Sequence, residues 1–288
     1  MIPGQFEYHR PTTLADAVGL LASLGEEARV VAGGHSLIPM MKMRMAQPDH
    51  LVDLQDISEL KYILEDGGDL VIGAMTTQAE VIASDLLAQK CPILAEAALQ
   101  IADPQIRYVG TLGGNVANGD PGNDMPAIMQ ALDARYDLAG PDGKRQVSAR
   151  EFYEGAYYTK LAEGEILTSV RFATPAAGHG WSYMKQKRKI GDYATAAAAV
   201  MLTLSGDNCT SASVALTNVA STPLYAEAAA KALTGTAIDG AAVDSAVAAA
   251  MAIAEPASDG RGPADFRTRV AGVMVRRAIA AARERAAG

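Results

Sequence analysis

Cysteine is nearly absent from this chain. Among 288 residues only Cys91 and Cys209 occur, too few and too far apart for a zinc or iron–sulfur site, and not expected to pair in a reducing cytosol. Any iron–sulfur cluster that serves the chain must therefore belong to another one. Positive charge is also short: 25 Lys and Arg against 33 Asp and Glu give a net charge of -8. That excludes nucleic-acid binding as a general mode, because phosphate contacts need a basic surface. Long apolar runs are missing as well. The longest are the alanine-rich segments 194–204 and 246–254, well below the roughly 20 residues a membrane-spanning helix needs. The opening Met1-Ile2-Pro3-Gly4-Gln5-Phe6-Glu7 lacks the basic-then-apolar layout of a signal peptide, so cytoplasmic residence is expected. Finally, no Gly-x-Gly-x-x-Gly run follows a strand-like segment and no Gly-x-x-x-x-Gly-Lys-Ser/Thr occurs, which weakens both common nucleotide-binding readings.

What the chain has instead is a pair of glycine motifs with polar followers, Ala32-Gly33-Gly34-His35-Ser36 and Thr111-Leu112-Gly113-Gly114-Asn115. Paired glycines tolerate positive φ, and successive N–H groups in such a turn form an anion-binding concavity. Two cradles suggest a pyrophosphate and hence a dinucleotide. The second motif runs into a polar, turn-rich stretch through Asn118, Asp120, Asn123 and Asp124. Those side chains can serve a ribityl chain or ribose, or simply make their own Asx turns.

A hydrophobic content of 49% and a mean hydropathy near zero describe a globular chain able to hold two or three compact units. Thr12 or Thr13 can cap a helix with Leu14, Ala17, Val18, Leu21 and Leu24 on its apolar face and Gly25 as its stop. Strands are predicted at 29–32, 51–54 and 70–74, and Thr77-x-x-Glu80 is a capping box for a helix running toward Leu87. Helices at 92–101 and 125–132 flank the second glycine segment, read as a loop, and strands at 135–138 and 166–172 follow. Residues 174–180 read as a linker. Beyond it a strand at 181–185 and a hairpin of 200–204 with 212–216 precede alanine-rich helices at 226–233, 241–254 and 265–287. The last has Phe266, Val270, Val273, Met274 and Ile279 at helical spacing. His9, His50 and His179 show no metal-ligand spacing and read as ordinary surface or loop residues.

These segments carry a resemblance. Phe6-x-Tyr8-His9-Arg10-Pro11, Ala32-Gly33-Gly34-His35-Ser36-Leu37-Ile38-Pro39, Asp103-Pro104-Gln105-Ile106-Arg107, Thr111-Leu112-Gly113-Gly114-Asn115 and Lys189-Ile190-Gly191-Asp192-Tyr193-Ala194 resemble the flavoproteins of the xanthine-dehydrogenase family of molybdenum hydroxylases nearly end to end. Residues 117–126 and Ser258-Asp259-Gly260-Arg261-Gly262-Pro263 point to its carbon monoxide dehydrogenase group. The resemblance implies an α+β chain with an FAD-binding fold of the vanillyl-alcohol-oxidase (PCMH) type. Its two α/β subdomains, about 1–55 and 56–177, precede a C-terminal domain, 178–288, with a three-stranded antiparallel sheet and helices. It implies that residues 32–36 and 111–115 hold the FAD pyrophosphate, with Leu37 and Ala117 beside them. Asn118 and Asp124 would bond the ribityl and phosphate region, Ile101, Ala102 and Leu167 wall the flavin, Lys185 lie near it, and Tyr193 lie over the ring. FAD is expected without a covalent bond, although His35 occupies the kind of position where some oxidases of the wider fold attach flavin.

No nucleophile–base arrangement or metal cluster is apparent, so the chain is expected to be an electron-transfer subunit, an oxidoreductase component that does not oxidise substrate alone. The resemblance implies a large molybdenum-cofactor (molybdopterin) subunit that oxidises carbon monoxide and a small subunit with two [2Fe–2S] clusters. It further implies a quinone acceptor and a dimer of heterotrimers, with no membrane span, in the cytoplasm or at the inner face of its membrane. Alternatives are the same role with a heterocycle, aldehyde or aromatic thioester as the partner's substrate, a self-sufficient FAD oxidase, and a flavin-free assembly protein.

Overall fold

The computed structural model describes residues 2–287. Its first unit is a three-stranded parallel sheet in the order β1-β3-β2, made by β1 (Glu7–His9), α1 (Leu14–Leu24), β2 (Ala28–Val31), α2 (Leu37–Lys42) and β3 (His50–Asp53). Thr13 Oγ1 accepts the Asp16 N–H at 3.1 Å and Gly25 ends α1 at φ 58, so the predicted start and stop of that helix are both realised. Strand β1 has only three residues, two of them exposed, and left no alternation to read.

The second unit holds β4 (Ile63–Asp66), β5 (Asp69–Gly73), α3 (Gln78–Ala83), α4 (Asp85–Lys90), α5 (Ile93–Ala98), α6 (Pro104–Val109), α7 (Leu112–Ala117) and α8 (Met125–Ala131). It continues with β6 (Arg135–Gly140), β7 (Gly143–Ser148), the small hairpin β8 (Tyr153–Gly155) and β9 (Tyr158–Thr159), and β10 (Ile166–Ala173). The order β4-β5-β10-β6-β7 is antiparallel throughout. The capping box closes as expected, with Glu80 N donating to Thr77 Oγ1 at 3.2 Å and Thr77 N to Glu80 Oε2 at 2.7 Å. The helix it opens does not reach Leu87 unbroken: Ser84 is extended, ends α3, and accepts the Leu87 N–H to cap α4. The second glycine segment is a helix rather than a loop, because Thr111 caps α7 by accepting the Gly114 N–H at 3.0 Å.

The third unit comprises β11 (Gly180–Gln186), β12 (Ala196–Ser205), β13 (Asn208–Thr217), β14 (Leu224–Tyr225), α9 (Glu227–Leu233), α10 (Gly240–Ala252) and α11 (Ala264–Ala287). Its antiparallel sheet has the three expected strands and a two-residue fourth, β14. The alanine run before Val200 belongs to β12, although alanine favours helix. Both faces of this strand are covered: Ala196, Ala198, Val200 and Leu202 pack with α9, α10 and α11, whereas Ala197 and Ala199 join the core of the second unit. A strand buried on both sides shows no polar alternation, so β12 begins four residues before the strand expected at 200–204. On α11 the inward stripe is Ala271, Met274, Val275, Ala278, Ile279 and Ala282, while Phe266 and Val273 stand largely exposed. Small residues win that face because β11 lies close: a Cβ on Gly180 would stand 1.9 Å from the Ala282 carbonyl oxygen. Among the described residues, no helix is long and apolar enough to cross a membrane.

Candidate functional site

A cavity of about 1030 Å³ draws lining residues from all three units. Ala32, Gly34, His35, Ser36 and Leu37 reach it from the turn after β2. Thr111, Gly113, Gly114, Asn115, Ala117 and Asn118 reach it from α7 and its ends, with Ile101, Ala102, Asp124 and Leu167 from the rest of the second unit and Lys185 and Tyr193 from the third. Gly33 and Leu112 do not line it. The Leu112 side chain is fully buried in the core, and Gly33 packs against the backbone at the end of α6, where a Cβ would stand 2.3 Å from the Val109 carbonyl oxygen. Thr111 Oγ1 donates to the Ala32 carbonyl at 3.3 Å, so the two glycine segments, 79 residues apart in sequence, form one seam.

The two segments are not equivalent cradles. In the second, Leu112 N donates to Thr76 O at 2.8 Å and Gly113 N to Ala74 O at 2.9 Å, and Gly114 N is taken by Thr111 Oγ1. Its glycines instead permit close packing, since a Cβ on Gly113 would lie 2.5 Å from that of Ala74. In the first, Gly33 and Gly34 have φ 84 and 74. Among the described residues, no acceptor takes the N–H groups of Gly33, Gly34, His35 or Ser36. Free successive N–H groups of this kind are what an anion-binding concavity requires. Two further orphans border the same space, Asn118 Nδ2 and Gln78 Oε1, both buried without a partner among the described residues. A buried polar group left without a partner costs about 1–3 kcal/mol, so a ligand that supplies an acceptor to Asn118 Nδ2 and a donor to Gln78 Oε1 suits this cavity.

At the third-unit wall Lys185 Nζ lies 2.8 Å from Asp124 Oδ2, with side chains 1% and 6% exposed. Tyr183 donates its hydroxyl to the other carboxylate oxygen. Burial pulls the Asp124 carboxyl above its ordinary range while Lys185 and Tyr183 hold it back. Burial, then the Asp124 charge, drives the Tyr183 phenol well above its usual range. Lys185 is paired inside, and burial followed by repulsion from Lys185 lowers Lys187.

The polar stretch partly makes its own turns: Asp120 Oδ1 accepts the Gly122 N–H at 2.9 Å, and Asn115 Oδ1 accepts the Met125 N–H at 3.2 Å. Tyr193 lies against Gly122, where a Cβ would meet its ring at 2.7 Å. Burial, then the Asp120 charge, raises its phenol. Asn123 of the polar stretch lines the cavity too, as do Gln78, Arg29 and Tyr157, which carry no motif in the sequence. Tyr157 and Ala102 are non-glycine residues at φ 65 and 44, a strain of order 1–3 kcal/mol each that clusters at functional sites. Their side chains gave no hint of it.

An α+β scaffold that sets a turn with free N–H groups, two unpartnered side-chain amides and a buried lysine around one large cavity fits a dinucleotide-holding protein. The family model "FAD binding domain in molybdopterin dehydrogenase" matches residues 4–175, and "CO dehydrogenase flavoprotein C-terminal domain" matches residues 181–282. The chain belongs to this family of FAD-binding proteins. It is 64% identical over 286 residues to the carbon monoxide dehydrogenase medium chain of Afipia carboxidovorans, with 99% of each chain covered. It is 50% identical over 287 residues to that of Hydrogenophaga pseudoflava, with 100% of each covered. The crystal structure of a Cu,Mo-CO dehydrogenase in its cyanide-inactivated form contains a chain with TM-score 0.98 and 64% identity, covering 99% of this chain and 100% of that one.

Proposed function

We propose that this chain is the FAD-binding electron-transfer subunit of an aerobic carbon monoxide dehydrogenase. It would accept electrons from the [2Fe–2S] clusters of a small partner after a large molybdenum subunit has oxidised carbon monoxide with water to carbon dioxide, and pass them to a quinone. The assembly would be a dimer of heterotrimers in the cytoplasm or at the inner face of its membrane. Residues 1–177 would hold the cofactor and residues 178–288 would complete its wall. The observation that carries this reading is one cavity bordered by Gly34, His35 and Ser36 with their free N–H groups, by Asn118 with its unpartnered amide and by the Lys185–Asp124 pair. The full-length 64% identity supplies the substrate.

Bound FAD supplies the redox chemistry, and the chain supplies position and electrostatics. The turn at residues 33–36 would hold the pyrophosphate through N–H donors. The Asn118 amide and the Asp124 carboxylate would orient the ribityl region. Ile101, Ala102 and Leu167 would exclude water from the ring, Lys185 would place a positive charge near it, and Tyr193 would cover it. The flavin is held without a covalent bond, so acid precipitation leaves it in the supernatant. Flavin in the pellet would make His35 the attachment point.

The isolated chain loaded with FAD is expected to show no loss of flavin absorbance under carbon monoxide in anaerobic buffer. Adding the molybdenum and iron–sulfur partners restores bleaching. Bleaching of the lone, metal-free chain would replace the relay by a self-sufficient oxidase, and a complex bleached by an aldehyde or heterocycle but not by carbon monoxide would move the chain to another molybdenum hydroxylase. If Tyr193 covers the ring, Tyr193→Ala shifts the flavin potential by roughly 30 mV, the two-electron equivalent of about 1.4 kcal/mol. An unchanged potential and absorption spectrum would return Tyr193 to a packing role against Gly122.

A further inference from the structure

Away from the cavity, the first sheet brings together three metal-ligating side chains that lie far apart in the sequence. Strand alternation puts Glu7 and His9 on one face of β1, and the parallel register sets Glu7 opposite His50 on β3. His9 Nε2 stands 3.2 Å from His50 Nδ1, and His50 Nδ1 stands 3.5 Å from Glu7 Oε2. The three ligand atoms all lie within 4.8 Å of one another. At zinc–nitrogen distances of about 2.0–2.1 Å, a tetrahedral centre separates its ligands by about 3.3 Å. The two close separations fall on either side of that value. Glu7-x-His9 followed by a histidine 41 residues on has no ligand spacing in the sequence, and only the strand pairing brings the three side chains together.

We propose that Glu7, His9 and His50 form a site for a divalent transition metal of zinc type, with the remaining coordination position open to water. Two imidazoles and one carboxylate are a borderline-to-hard donor set that suits Zn²⁺, Co²⁺ or Ni²⁺ rather than Ca²⁺ or Mg²⁺, which take oxygen ligands. The Glu7 side chain is 74% exposed and that of His50 17%, so an ion enters from solvent while the second imidazole is already held. The consequence is mechanical. Strand β1 is a three-residue edge strand beside β3, and an ion shared by the two strands clamps it to the sheet.

Equilibrium dialysis of the chelator-stripped full-length chain against zinc chloride tests this. One zinc per chain is expected, with affinity weakened about 10–100-fold or more in Glu7→Gln and His50→Gln, the range already produced by losing a group that only supports a ligand. Zinc should raise the melting temperature of the parent and leave that of Glu7→Gln unchanged. Glu7 is exposed, so its variant keeps the test readable if His50→Gln folds poorly. Unchanged zinc affinity in Glu7→Gln, binding abolished by His179→Gln instead, or no stoichiometric zinc on the parent would each overturn the site.

Discussion

Gly33→Val is expected to leave the purified chain with little or no flavin, at least about tenfold less than the parent by the ratio of flavin to protein absorbance. Gly33 sits at φ 84, where a side chain is strained, and its Cβ would stand 2.3 Å from the Val109 carbonyl oxygen and 3.0 Å from its carbon. Backbone cannot yield as a side-chain tip can. The turn must then leave the α7 seam and take the N–H groups of Gly34, His35 and Ser36 out of register with the cavity. Gly33 does not line the cavity, so the loss reports the placement of the cradle rather than a blocked phosphate. Gly114→Val acts on the same seam from the other side, since its Cβ would lie 2.8 Å from the Ala32 carbonyl oxygen. Full flavin occupancy in both variants would mean that the glycine seam does not hold the cofactor.

Lys185→Met should be the most destabilising single change at the site. It removes the ammonium 2.8 Å from Asp124 and leaves that carboxylate buried with Tyr183 alone for a strong partner. Breaking one half of a buried pair costs about 3–5 kcal/mol, which for a chain of this size is a fall in melting temperature on the order of 10 °C. The double variant Lys185→Met/Asp124→Leu should regain most of the loss, because replacing both charges by apolar groups is often close to neutral. Flavin affinity then separates the two roles of the pair. A stable double variant that binds FAD weakly places the pair in cofactor binding, whereas parental affinity in that variant would make it a structural tie between the second and third units.

Local chemistry made some of this protein readable. Thr13 and Gly25 bound α1 and Thr77 with Glu80 open α3 because caps are settled within a few residues. The hairpin between the strands at 200–204 and 212–216 forms as expected, with Gly206 and Asp207 at its turn and a register shift between Thr203 and Leu204. The two glycine motifs marked the segments that meet, and their residue order carried the family resemblance. Other features exist only once the chain is folded. The alanines at 196–199 form a strand because layers cover both of its faces, a circumstance that overrides their helical preference. The second glycine pair is a packing surface because Ala74 and Thr111 take its N–H groups, whereas those of the first pair have no acceptor among the described residues. The Lys185–Asp124 pair spans 61 residues and the Glu7–His9–His50 cluster 43, separations over which no local pattern can report contact. Sequence determined which residues could cap, turn or carry charge. Tertiary structure decided which of their polar groups were left without a partner, because hydrogen-bond satisfaction is a property of the whole packed chain.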